Sequence, residues 1–330
     1  MFFFCLSRVI YAQQNNYEVP KTIDSMLSVL STLKEDTAKI KLLNSLSVQC
    51  MIISSYDSSL KYSNTAVQLA DFIVNNSTNP FIIKAAQKGK INAYSSMGRI
   101  YYAKDLFSIS IDTYFNSLKI AEEIKDTNLI TDILRGIGHV YQKKGEYQKS
   151  LDYLLKALNM EEERKNKVGI ASYIADIGIA YFAKGDYNNA LDYYFKALKM
   201  GQDIGNENRV AAMTGCIGLT YKELASLSPE DTLKKKEYIN KSLDYLNKAL
   251  KKSEDVGNKY GASMWLGHIG NVYRIKGDYT KAEEYYLSTL NLNKELYVKN
   301  GEAHWHGLIG SLYAETVSYT HLTLPTNREV

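Results

Sequence analysis

Residues 136–158 read GIGHVYQKKGEYQKSLDYLLKAL, and forty positions later residues 176–198 read DIGIAYFAKGDYNNALDYYFKAL. Residues 268–290, HIGNVYRIKGDYTKAEEYYLSTL, state the theme a third time. Gly98, Gly138, Gly178, Gly218, Gly270 and Gly310 mark the same place in successive copies, at steps of 40, 40, 40, 52 and 40. A tyrosine follows each glycine by three residues, at Tyr101, Tyr141, Tyr181, Tyr221, Tyr273 and Tyr313. A fixed period of this length is the signature of a stacked-repeat architecture.

Each copy reads as two antiparallel helices. Ile137, Gly138 and Tyr141 lie three to four residues apart and share one face of the first helix. The glycine lets a neighbouring helix come close. Gly145 suits a left-handed helix end, and Tyr147, Ser150, Leu151, Leu154 and Leu158 stripe the second helix. Ala157, Ala197 and Ala249 mark a further close crossing. Asp126, Asn166, Asn206 and Asn258 recur where the next helix needs an N-cap. Only four prolines occur in 330 residues, so little interrupts the helices.

This small–aromatic first helix and Tyr–Ala–aromatic–Ala second helix resemble the tetratricopeptide repeat, over residues 37–316. The resemblance implies an all-α fold: a superhelical solenoid of about seven antiparallel helix pairs. The period is 40 rather than 34, so each helix should be longer by about one turn, and the usual closing proline is absent. Residues 13–36 are expected to cap the stack. In the first pair Ser47 and Cys50 replace glycine and tyrosine, and Tyr56, Leu60 and Ala66 mark its second helix. Later pairs should begin near Lys84, Thr127, Lys167, Glu207, Lys259 and Lys299. Insertions of about eleven residues near Asn75–Phe81 and about twelve around Leu227–Glu237 stretch the period, and the second, which contains Pro229, should lengthen a helix-turn loop. The seventh pair is expected to stop after its first helix, leaving Ile309, Leu312 and Tyr313 without partners.

The ends differ from the middle. Residues 1–12 hold an apolar run ending at Ala12 before Gln13-Gln14-Asn15-Asn16, the pattern of a secretory signal. The basic start is missing and Arg8 interrupts the run, so the natural start is expected upstream. This reading places the chain in an exported, periplasmic setting; the alternative is cytoplasmic. Residues 317–330 leave the repeat register, and 317–326 resemble the translation of a transposon sequencing adapter. Native sequence is therefore expected to end near Thr316.

Composition removes several classes of function. Forty basic and 36 acidic residues give +4, with no isolated basic block, so a nucleic-acid partner is not expected. Three cysteines build no disulfide framework, and no run of 18 apolar residues is present. Glycines at repeat spacing do not form a phosphate loop, and no HExxH motif is present. No nucleophile constellation, cofactor site or metal site is apparent. His139, His268 and His304-Trp305-His306 are expected to be surface histidines. Glu161-Glu162-Glu163 and Lys234-Lys235-Lys236 read as solvated charge, and most tyrosines as core.

What remains is a surface. In a stack of the type this sequence resembles, first helices line a concave groove. The helical pitch places Asn92, Arg99, Tyr102, Arg135, His139, Gln142, Phe182, Lys222, Asn271 and Arg274 there. These residues could hold an extended peptide or its carboxylate, and charge reversal of Arg99, Arg135 and Arg274 together is expected to abolish binding. The expected role is a non-enzymatic protein-interaction module. The resemblance extends to the sensor half of bacterial signalling proteins, in which a membrane helix and a histidine kinase, nucleotide cyclase or DNA-binding domain would follow. A stand-alone periplasmic scaffold, a cytoplasmic peptide-binding regulator and an enzyme with its catalytic part downstream are the alternatives.

Overall fold

The computed structural model describes residues 19–323 other than 229, 297 and 298. The proposed leader and the last seven residues of the tail lie outside them. The chain divides into two compact units, residues 1–184 and 185–330.

The first unit holds α1 (Val19–Leu30), α2 (Thr37–Ile52), α3 (Tyr56–Asn76), α4 (Pro80–Ala103), α5 (Phe107–Glu123), α6 (Thr127–Lys143), α7 (Tyr147–Glu163) and α8 (Lys167–Lys184). The second holds α9 (Tyr187–Asp203), α10 (Glu207–Ser226), α11 (Thr232–Asp255), α12 (Lys259–Lys276), α13 (Tyr279–Glu295) and α14 (Lys299–Thr323). Within each unit every helix packs on the next in sequence. In the first, α2 also meets α4, α4 meets α6, and α6 meets α8; in the second, α10 meets α12. Among the described residues the main packing within each unit is between neighbouring helices and helix pairs, so each hairpin buries its apolar face against adjacent copies. No strand occurs among the described residues.

Local chemistry sets the helix ends. Asp126, Asn206 and Asn258 each accept a hydrogen bond from the backbone N–H three residues on. At the opposite ends Gly145 and Gly277 adopt φ of +83°. The N–H of Gly145 bonds to the carbonyl of Gln142, and that of Glu146 to the carbonyl of Tyr141, which closes the helix end on itself. Leaving φ positive costs glycine least.

Repeat glycines hold bulky side chains. Tyr114 of α5 lies between Gly98 on α4 and Gly136 on α6, and burial pushes its hydroxyl pKa up to about 12. Leu154 covers Gly138, Leu246 covers Gly218, and Tyr286 covers Gly270. One layer further, the Trp265 ring faces Gly215 and the Trp305 ring faces Gly267. Ser110 and Ser242 donate to the carbonyls of Gly98 and Gly218, fixing second helix to first.

Several expectations need correction. Neither insertion makes a long loop. Asn79 caps Phe81 with Pro80 in the first turn, so α3 and α4 extend to 21 and 24 residues. Asp231 caps Lys234, and α10 and α11 extend to 20 and 24 residues. Ile309 and Leu312 are buried with Trp305 against Ala282, Tyr286 and Leu290 of α13. Tyr313 is exposed and donates to Glu283. The other repeat tyrosines are half-buried: Tyr141 stacks on Tyr153 at 5.5 Å, Tyr221 on Tyr245 at 5.8 Å, and Tyr273 on Tyr285 at 5.5 Å. A lysine, Lys149, Lys241 or Lys281, lies over each stack. Glu161 is buried, because Gly169 leaves room for its carboxylate and Thr131, Arg164 and Asn166 donate to it. His268 is buried too, and burial, with Lys222 and His304 nearby, pushes its pKa down to about 3.

Candidate functional site

In the first unit α4, α6 and α8 form a continuous first-helix layer. The second helices meet at scattered side chains, such as Phe115 edge-on to Tyr153 at 6.3 Å. Closer spacing among first helices makes theirs the inner face of the stack. The 40-residue register places Asn92, Asp132 and Ser172 in one column of this face, and Arg99, His139 and Ile179 in another.

A charged cluster occupies its middle. The Arg135 guanidinium lies 4.4 Å from the Tyr173 ring centroid. Its Nε is 2.8 Å from Asp176 Oδ2. His139 Nε2 is 3.7 Å from the other oxygen of Asp176. Ion pairing and ring stacking together hold a guanidinium in one plane. On α4, Arg99 Nη2 donates to Ser96 Oγ at 3.2 Å. On α6, the Asp132 side chain reaches solvent yet is crowded by protein. This crowding raises its carboxyl pKa, opposed by Arg135 and Arg99 and reinforced by Glu161.

The residues singled out by sequence divide on inspection. Asn92 and Arg99 are exposed on α4, and Arg135, His139 and Gln142 are half-buried on α6. Phe182 lies half-buried near the end of α8. Tyr102 is a correction: only 6% of it is exposed, because Lys143 Nζ sits 4.7 Å over its ring and Phe107 packs edge-on at 6.4 Å. In the second unit Lys222 pairs with Glu223 at 2.7 Å, and Arg274 with Glu315 at 3.0 Å. Asn271 accepts from the Tyr286 hydroxyl at 2.6 Å. The sequence reading missed Asp132, Asp176 and Tyr173. Aligning the columns around Asn92 and Arg135 would have exposed both acids, since the register that places the bases places them as well.

Other chemistry has little support. Among the described residues no group of three metal-ligating side chains converges, and no helix is long and apolar enough to cross a membrane. Cys50 and Cys216 are free and buried; burial raises both thiols, that of Cys216 to about 12.

Comparison with known proteins follows the same lines. Family models of the tetratricopeptide repeat match residues 129–203 and 266–295. No curated protein sequence matches the chain significantly. Among solved structures, a signal-transduction ATPase with numerous domains and a tetratricopeptide-repeat sensor, from Pyrococcus horikoshii, aligns with a TM-score of 0.61 at 16% identity. That alignment covers 91% of this chain and 43% of the ATPase, so the chain spans less than half of that protein. BtubC (BKLC) from P. vanneervenii aligns at 0.57 with 18% identity, over 72% of this chain and 91% of BtubC. A Rap protein complexed with Competence and Sporulation Factor aligns at 0.52 with 11% identity, over 91% and 81% of the two chains. Likeness at these identities establishes the fold alone. The chain carries tetratricopeptide repeats over the matched residues, and its described residues form an all-α solenoid of antiparallel helix pairs.

Proposed function

We propose that this chain is a non-enzymatic interaction module that binds an extended polypeptide across the first-helix face of its first unit. The carrying observation is the guanidinium of Arg135, held by Asp176 and Tyr173 on a face shared by three first helices. Such a fixed, half-exposed donor suits carbonyl and carboxylate groups better than a mobile lysine does. The Rap protein solved with its factor and the ATPase carrying a repeat sensor support a recognition role. On the same reading the module is the sensor or scaffold region of a longer signal-transduction protein, acting after export.

The binding test is selection of a phage-displayed random 12-residue peptide library on the immobilised full chain, followed by affinity measurement. Charge reversal at Arg135 or Arg274 is a poor control, because it sets a new carboxylate against Asp176 or Glu315. Arg99→Glu is the cleaner variant, since Arg99 has no carboxylate within 4.0 Å among the described residues. The reading predicts peptides that bind the chain and lose at least tenfold in affinity on Arg99→Glu. Failure to select any peptide above background contradicts it. Export is tested separately, by fusing residues 1–12 to a reporter that is active only outside the cytoplasm.

A further inference from the structure

Residues 72–83 read FIVNNSTNPFII and contain no charged side chain. They form the end of α3, the turn and the start of α4. Three large apolar residues there face solvent: Phe72 is 59% exposed, Phe81 85% and Ile82 42%. The tip projects from the stack. Ser59 donates to the carbonyl of Ser47 as Ser110 does to that of Gly98, which sets the two pairs in register. From that register α3 runs 17 residues past Ser59, whereas α5 runs 13 past Ser110. Helix α4 begins 18 residues before Gly98, whereas α6 begins 11 before Gly138. At ~1.5 Å per residue, the added turns carry the tip about 6–10 Å beyond the turn joining α5 to α6.

Most polar groups of the tip are satisfied within it. Asn79 Oδ1 accepts from the Phe81 N–H at 3.0 Å, and Ser77 Oγ from the Asn79 N–H at 3.2 Å. Asn76 Nδ2 donates to the Phe72 carbonyl at 2.8 Å, and the N–H groups of Ser77 and Ile83 bond to the carbonyls of Ile73 and Asn79. Taking the tip out of water therefore strands no charge and leaves few backbone groups unpaired. Behind it, Asp71 is paired with Lys90, and Lys84 is exposed on a stem long enough to keep its ammonium in water. The second lengthened tip is built differently. Its exposed Leu227 and Leu233 stand among Glu230, Asp231, Lys234, Lys235 and Lys236, all of which would lose water on burial.

We infer that the α3–α4 tip is a peripheral membrane contact, at which Phe72, Phe81 and Ile82 enter the boundary between headgroups and acyl chains of a zwitterionic lipid surface. A projecting tip with apolar side chains on two helices fits a deformable surface, whereas a protein partner would have to offer a pocket shaped to both helices. Without a basic ring the contact draws on apolar transfer rather than on anionic lipid. Three such side chains give weak, reversible attachment.

The test is flotation of the full chain with phosphatidylcholine vesicles, with and without phosphatidylserine. Wild type should float with both, and binding should persist in about 0.5 M sodium chloride, where surface charges are screened. Phe81→Ser should lower the partition coefficient by about tenfold, and Phe72→Ser with Phe81→Ser should lower it further. Phe81→Leu should retain binding, and Leu233→Ser on the other tip should leave it unchanged. Both phenylalanines are exposed, so unaltered thermal melts are expected and confirm that the variants fold. Phe81→Trp gives a local readout, since its emission should shift to the blue when vesicles are added. Flotation that survives the double substitution, or that needs phosphatidylserine and vanishes in salt, overturns the assignment. Absence of flotation also overturns it, and leaves the tip to a pocket on a protein partner.

Discussion

The glycine sockets give the sharpest stability test. Gly215, Gly267 and Gly307 stand in the same register of three successive first helices. A Cβ on Gly215 would lie 2.2 Å from Cη2 of Trp265, and one on Gly267 would lie 2.0 Å from Cη2 of Trp305. On Gly307 it would meet nothing within 4 Å. Carbon atoms in contact sit about 3.5–4.0 Å apart, so each ring would have to retreat by more than about 1 Å. Trp265 cannot do so freely. It is 1% exposed, and its Nε1 donates to Ser253 Oγ at 3.1 Å. Exchanging Gly for Ala within a helix contributes about 1 kcal/mol of helix propensity at all three sites, and overpacking costs about 1–3 kcal/mol where the ring is met. Propensity cancels when the sites are compared. Gly215→Ala and Gly267→Ala should therefore be less stable than Gly307→Ala by about 1–3 kcal/mol, with Gly307→Ala equal to or above wild type. Urea unfolding followed by circular dichroism and by the fluorescence of the two tryptophans measures this. Pairing Gly215→Ala with Trp265→Phe should recover part of the loss. Three substitutions of equal effect would refute the sockets.

His268 should make stability depend on pH. Its pKa is lowered to about 3 in the folded chain from an ordinary 6.5, so below 6.5 the unfolded chain binds the extra proton. Stability should then fall with pH from about 6.5 towards the lower folded value, by up to about 1.4 kcal/mol per pH unit. His268→Gln should flatten that slope in a pH series of urea unfolding curves. Cys50 and Cys216 should resist a thiol reagent at pH 8 in the native chain and react after denaturation, as read by peptide mass spectrometry. Glu161→Ala should strand the donors of Thr131, Arg164 and Asn166 and cost about 1–3 kcal/mol, visible as a lower thermal midpoint.

The fold was legible because its determinants repeat. Glycine and tyrosine three apart, a capping Asp or Asn, and a turn glycine return at a constant step, so one copy explains another. Features carried by a single copy were not legible. Glu161 occupies a place taken by Ala121 and Gly201 in neighbouring copies, and its burial depends on the absent side chain of Gly169. The insertion around Leu227–Glu237 was read as a loop because it broke the period. Asn79–Pro80 and Asp231 are helix-starting signals in their own right, and they turned the added residues into helix. At the candidate site the first-helix face and most of its residues followed from pitch. The pairing did not, since a search for donors passed over Asp132 and Asp176 on the same face. Tyr102 was misplaced because its burial comes from Lys143, one repeat onward.

Hydrogen exchange of the full chain with a selected peptide bound tests the central claim most directly. The account predicts slowed exchange in segments covering 92–102, 132–142 and 172–182 of α4, α6 and α8, with α5 and α7 unchanged. Protection concentrated on α5 and α7, with the first helices unaffected, would contradict it.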